Sequence, residues 1–143
     1  MPDTRIAELL GGTAFIGHPL KTEMDFFELS RIGLPKKALT NLAHNLNLSI
    51  RSMSTLLNIT ERTIQRKADQ ELLDVSTSEQ LLQIAEVYSR GAEVFGSPEN
   101  FHSWMESENK ALGNRNPMDL LPSHYGAHMV LDVIGRIEHG AFS

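Results

Sequence analysis

The chain has 143 residues, 41% of them apolar, no cysteine and a formal net charge of -5. That length supports one sizeable core or two small ones, and the lack of cysteine excludes disulfides and thiolate metal sites. The N-terminus lacks the basic flank and apolar run of a secretory signal, and no segment approaches the roughly 20 apolar residues of a spanning helix; a soluble, cytoplasmic protein without a membrane partner is expected.

Ile6, Leu9 and Leu10 suggest a short helix stopped by Gly11-Gly12, and Gly17, His18 and Pro19 mark another break. Residues 1–21 are therefore expected to be a loosely attached arm, with Phe15 and Ile16 either an anchoring plug or a contact for a second subunit. Thr22 and Asp25 have capping-box spacing ahead of Phe26, Phe27, Leu29 and Ile32, and Gly33 closes that helix. Pro35 suits a first helical turn, and Ala38, Leu39, Leu42, Ala43 and Leu46 follow at helical spacing.

Residues 49–68 read as two short helices broken at Asn58-Ile59. Ser49 and Thr60 are cap residues, and Asn tolerates the left-handed turn between them. Ile50, Met53, Leu56 and Leu57 give the first helix an apolar face, and Ile64 and Ala68 do so for the second. The remaining face of the second helix carries Glu61, Arg62, Gln65, Arg66 and Lys67. Long amide and guanidinium side chains on an anchored helix are what reading base edges in the major groove requires. Arg62, Gln65 and Arg66 are the candidates for base edges and Lys36, Lys37, Arg51 and Lys67 for phosphates, with Thr60 also counted on the DNA-binding surface.

Charge follows the same division. Residues 1–30 hold two basic and five acidic side chains, residues 31–68 seven and one, and residues 69–143 four and twelve, for nets of -3, +6 and -8. A local +6 suits a polyphosphate backbone, and the acidic remainder suits a different partner or simply solubility.

Beyond residue 69, Ser76 and Glu79 have capping-box spacing, and Leu81, Leu82, Ile84, Ala85, Tyr88, Ala92 and Phe95 carry a helix to Gly96. Ser97-Pro98-Glu99 starts another helix, expected to reach Leu112-Gly113, with Phe101, Trp104 and Met105 inward. Asn116-Pro117 opens one further turn, and a last helix from Ser123 presents Ala127, Val130, Leu131, Ile134 and Ile137. Gly126 lies one turn inside it, at a cost of about 1 kcal/mol relative to Ala, which implies close packing there. No stretch alternates with period two, so the fold is expected to be all-α.

Catalytic, metal-binding and nucleotide-binding signals are weak. His124 and His128 share a helix face without a Glu between them or a third ligand nearby, and no Gly-rich phosphate loop occurs. Neither an enzyme, a metal site nor a cofactor is expected. The competing reading is a stand-alone helix-turn-helix repressor, whose C-terminal unit would dimerise or hold an effector among Phe95, Phe101, Trp104 and Met105.

The run G-N-R-N-P-M-D-L-L-P-S-H-Y-G, followed by V-L-D-V-I-G-R-I-E-H-G, resembles the C-terminal toxin-binding domain of the MbcA/ParS/Xre antitoxins. T-I-Q-R-K after N-I-T-E-R likewise resembles the end of their Xre-type helix-turn-helix, and together the likeness covers most of residues 30–142. The resemblance implies an antitoxin that occludes the active site of a RES-domain, NAD-consuming toxin and binds its own operon's promoter as an autoregulator. Charge reversal and apolar periodicity divide the chain into an arm (1–21), which matches no family pattern, a helix-turn-helix domain (22–75) and a helical toxin-binding domain (76–143). On this chain Asn116, Pro117, Leu120 and Leu121 would form the toxin-binding corner, and Arg136, Glu138 and His139 the end of the last helix. Phe142, a large apolar side chain near the end of the sequence, is expected to be buried in the toxin, the alternative being that it folds back over Tyr125 or Trp104. Operator recognition through two half-sites implies a homodimer.

Overall fold

A computed structural model describes the backbone of residues 2–140 and the side chains from Arg5 onward; Phe142 lies outside the described residues. Among the described residues the secondary structure is helical, interrupted only by isolated bridges at Pro35–Leu72 and Asn109–Arg115. The chain divides into two compact units, Met1–Ala85 and Glu86–Ser143. This boundary falls inside a helix, ten residues beyond the division expected between 75 and 76.

The first unit contains α1 (Pro2–Leu9), α2 (Thr13–Ile16), α3 (Glu23–Ile32), α4 (Lys36–Leu46), α5 (Ile50–Leu57), α6 (Glu61–Gln65) and the start of α7 (Val75–Phe95). Its core is built from Leu10, Leu34, Leu39, Leu42, Met53, Ile64 and Leu81, all essentially sealed from solvent. The expected loose arm is instead packed: Ile6, Ala7, Leu10 and Leu20 are buried. Two amides on α4 hold it, Asn41 Nδ2 donating to the Leu10 carbonyl (3.0 Å) and Asn45 Nδ2 to that of Leu9 (2.9 Å). The glycines that suggested looseness shape a reversal whose apolar residues face α4. Gly11 sits at φ 129°, so close to Asn41 and Phe15 that a side chain would not fit.

Local signals set most of the helix ends. Thr22 and Asp25 form a reciprocal capping box on α3, and Gly33 ends that helix at φ 100°. The capped Asp25 carboxylate also accepts from the Lys21 amide, which lowers its pKa. Pro35 lies just outside α4, whose first amides are satisfied by the chain beyond α6: Lys36 N donates to the Glu71 carbonyl (2.9 Å) and Lys37 N to that of Asp69 (2.8 Å). Leu73 N donates to Leu34 O, while the buried Ser78 hydroxyl accepts from Leu34 N. Gln80 Nε2 reaches the Leu56 carbonyl (3.0 Å). These bonds tie the first turns of α7 to the helix-turn-helix, which is why the boundary comes late.

The cap of α7 is Asp74 rather than the expected Ser76, its Oδ1 accepting from Thr77 N at 2.8 Å. Hydrogen bonds from Thr77 hold the Asp74 carboxyl below the ordinary carboxylate range. The helix therefore begins at Val75, one residue before the expected cap at Ser76.

The second unit contains the rest of α7, α8 (Pro98–Met105), a single 3-10 turn at Lys110–Leu112, α9 (Pro117–Leu120) and α10 (His124–Glu138). Phe101 stands at its centre, edge-on to Tyr88 (5.2 Å between ring centroids) and packed against Phe95 and Trp104. Gly91 makes room for it, since a Cβ there would enter the Phe101 ring. Burial pushes the pKa of the Tyr88 hydroxyl far above its usual value, and the Glu106 carboxylate adds to the shift. The α8 helix stops at Met105, short of the expected Leu112. Asn109 redirects the chain there, capping the 3-10 turn through Ala111 N (2.8 Å) and donating from its own amide to the Arg115 carbonyl.

Candidate functional site

Two surfaces carry the predicted functional residues, one in each unit. In the first, α5 and α6 form the expected pair. Ser49 accepts from Ser52 N (3.0 Å), Thr60 from Thr63 N (3.1 Å), and Asn58 turns the chain between them at φ 59°. Each such cap contributes about 1 kcal/mol to a helix too short to form by itself. Met53, Leu56, Leu57 and Ile64 anchor both helices in the core.

The helix α6 is shorter than its periodicity suggested. It ends at Gln65, and Arg66 caps it with its amide on the Arg62 carbonyl (3.0 Å). Arg62, Gln65 and Arg66 are exposed, and no contact engages their side-chain polar groups among the described residues. Thr60 is exposed but used as the cap. The cations assigned to phosphates are not equivalent. Lys37 is exposed, whereas Lys36 is half-buried with its ammonium on the Lys67 carbonyl (3.1 Å). Arg51 pairs with Glu61 (3.3 Å) and Lys67 with Glu71 (3.5 Å), both pairs near enough to solvent to be loosened by salt or by a stronger anion. The unit as a whole holds nine basic and ten acidic side chains, so any positive field belongs to the local surface of α4 to α6.

In the second unit the corner residues separate into two groups. Pro117 and Leu121 are buried, and Leu120 is half-buried with its carbonyl where a Cβ of Gly126 would stand. They shape the junction of α9 and α10 from inside. Asn116, half-buried at the start of α9, offers no side-chain cap. Arg136 and His139 are exposed, and Glu138 is bound to Arg90 at 3.0 Å. The inward stripe of α10 contains Ala127, Val130 and Ile134 as expected, but Val133 is buried while Leu131 and Ile137 are only half so.

Tyr125 and Met129 were not among the expected partner residues, yet they are 82% and 45% exposed. They stand one turn apart on the outer face of α10, beside His124 and His128, whose rings are 5.2 Å apart. The available signal was a tyrosine and a methionine at i and i+4 opposite the buried stripe, with Asp132 and Arg136 continuing that face. Of the residues that the repressor reading sets around an effector, Phe95, Phe101 and Trp104 pack ring against ring with centroids 5.1 to 5.8 Å apart, and Met105 is buried. No group of three or more metal-ligating side chains converges among the described residues. No helix described is long and apolar enough to cross a membrane.

These features define a helical protein with a helix-turn-helix unit followed by a second unit that has an apolar, aromatic outer face. Residues 26–86 match the family model described as the antitoxin Xre-like helix-turn-helix domain. Residues 90–140 match the one described as the antitoxin Xre/MbcA/ParS C-terminal toxin-binding domain. The chain belongs to the Xre/MbcA/ParS antitoxin family, whose helix-turn-helix and toxin-binding domains it carries in that order.

Among curated relatives, Antitoxin Xre of Yersinia enterocolitica is 39% identical over 67 residues, covering 46% of this chain and 45% of that protein. The chain thus matches less than half the length of that relative. Prs ADP-ribosylating antitoxin of a Sphingobium species is 28% identical over 130 residues, covering 80% of this chain and 82% of that one. A chain of the M. tuberculosis MbcT-MbcA toxin-antitoxin complex has the same fold, with a TM-score of 0.56 over 76% of this chain and 96% of that one at 20% identity.

Proposed function

We propose that this protein neutralises a RES-domain, NAD-consuming toxin through residues 90–140 and binds its own operon's promoter through α5 and α6, acting as a cytoplasmic homodimer. The observation that carries the reading is the succession in one chain of an Xre-like helix-turn-helix and a toxin-binding domain. Neutralisation proceeds by covering the toxin's active site, not by chemistry on its substrate.

Tyr125 and Met129 are the anchors of that contact, because exposed aromatic and thioether side chains gain most from desolvation against a partner. Arg136 and His139, exposed near the end of the same helix, join them, and Phe142 of the adjoining sequence is assigned to the toxin contact as well. On the DNA side, Arg62, Gln65 and Arg66 read base edges, and Lys37, Arg51 and Lys67 hold phosphates.

The test is co-expression with the toxin encoded beside this chain, scoring growth and cellular NAD. Wild type protects; the double variant Tyr125→Ala/Met129→Ala and a chain ending at residue 138 lose protection yet still shift operon DNA. Failure of the wild-type chain to bind that toxin, or equal protection by all three chains, would refute the corresponding part of the reading.

A further inference from the structure

Among the described residues, five of the seven exposed large apolar side chains belong to the first unit: Met24, Phe27, Ile32, Leu72 and Val75. Three of them are on α3. This helix turns Leu29 and Ser30 inward and leaves Met24, Phe27 and Arg31 on its outer side. Met24 is 61% exposed, Phe27 53% and Ile32 58%. Leu72 continues the apolar surface beyond the helix end, its Cβ lying 3.4 Å from where a Gly33 Cβ would be. Nothing in the first unit covers this face, although burying it would be favourable.

The charges on α3 say what fits. Glu23, Phe27 and Arg31 form an i, i+4, i+8 row, with the Arg31 guanidinium 5.7 Å from the Phe27 ring centroid. At 1.5 Å per residue, Glu23 and Arg31 lie about 6 Å on either side of Phe27 along the helix. Two such helices packed parallel would set Glu23 against Glu23 and Arg31 against Arg31. Packed antiparallel about a two-fold axis at Phe27, each Glu23 meets Arg31 of the second copy, twice over, around a Phe27–Phe27 contact. The row is self-complementary in the one sense that an isologous dimer requires. Met24, Phe27, Ile32 and Leu72 leave roughly 400 Å² exposed, about half of the 800 Å² that each partner contributes to a standard interface.

We infer that the outer face of α3, centred on Phe27 and extended by Met24, Ile32 and Leu72, is the surface through which two copies of this chain pair antiparallel, with Glu23 and Arg31 exchanged as ion pairs. This gives the homodimer of the proposed function a specific interface, and it rests on that reading only for the purpose of pairing. It also moves the second-subunit contact away from Phe15 and Ile16, which are half-buried within the first unit.

The experiment measures the mass of the full chain by sedimentation equilibrium across a concentration series, alone and with neighbouring toxin added. Wild type should dimerise without toxin. Phe27→Glu should raise the dimer dissociation constant at least about 100-fold, and Arg31→Glu about 10-fold by setting acid against acid. The double variant Glu23→Arg/Arg31→Glu should return to within roughly threefold of wild type, because both partners are reversed together. All the substituted side chains are exposed, and matching circular dichroism melts establish that the variants fold. A monomeric wild-type chain, a dimer insensitive to Phe27→Glu, or a charge swap that fails to rescue would overturn the inference. Toxin capture by the Phe27→Glu monomer separates this outcome from failure of the antitoxin reading, which would show as no capture by any variant.

Discussion

Replacing Gly126 by Ala tests the packing that holds the partner-facing helix in place. In an ordinary helix interior the change would stabilise by about 1 kcal/mol. Here the added methyl would fall within the Leu120 carbonyl, and the Leu120 carbonyl carbon and Cβ are 2.8 and 2.9 Å from the same point. The obstruction is backbone, so α9 must move away from α10 instead of a side chain rotating aside. Overpacking of this kind costs about 3 kcal/mol when relief requires a main-chain shift, leaving a net loss of about 2 kcal/mol. For a unit of this size each kcal/mol is worth about 4 to 8 °C, so the melting midpoint of the second unit should fall by about 8 to 16 °C. Circular dichroism melting of the purified chain reads it directly. Toxin capture should weaken with it, while DNA binding, which depends on the other unit, should hold. A midpoint equal to or above that of wild type would refute the close approach of α9 to α10.

Gly91→Ala should likewise destabilise, by about 2 kcal/mol, because its methyl would enter the Phe101 ring; the added change Phe101→Leu should recover part of the loss in the same melts. Asp74→Ala should cost about 1 kcal/mol near neutral pH by removing the α7 cap. The folded pKa of Asp74 is lowered, so its contribution is complete above the unfolded carboxylate value of about 4 and disappears as pH falls through the folded value. Urea titrations of wild type and variant should converge in acid, and a constant difference across pH would contradict the assignment. In electrophoretic shifts on operon DNA, Arg66→Ala should relax sequence preference, whereas Lys37→Ala should weaken all sequences and reduce the salt slope by about 1. Identical behaviour of the two variants would show that α6 does not read bases.

The caps were legible in the sequence because they are local. Ser49, Thr60, Thr22 with Asp25, Ser97 and Ser123 each satisfy amides two or three residues away, so spacing alone identifies them. Asn58 was legible for the same reason, since few residues tolerate a left-handed turn. Local signals failed where one competed with a neighbour. Asp74 preceded Ser76 and took the cap of α7, and Asn109 diverted the chain before the helical pattern reached Leu112.

The sequence by itself determined that this protein is all-helical, that a helix-turn-helix precedes a second helical unit, and that Gly126 marks a close approach. Those properties follow from periodicity, capping and conformational freedom, which act over a few residues. Tertiary structure alone decided which functional candidates face outward. Leu121 and Pro117 belong to the interior, Lys36 is spent on the Lys67 carbonyl, and Tyr125 and Met129 emerge on the face of α10 opposite its buried stripe. It also decided that α4 holds the end of α1 through the Leu9 and Leu10 carbonyls and that the face of α3 is left uncovered. Burial depends on what the rest of the chain brings against a side chain, and residues that meet 31 or 36 positions apart leave no mark on local spacing.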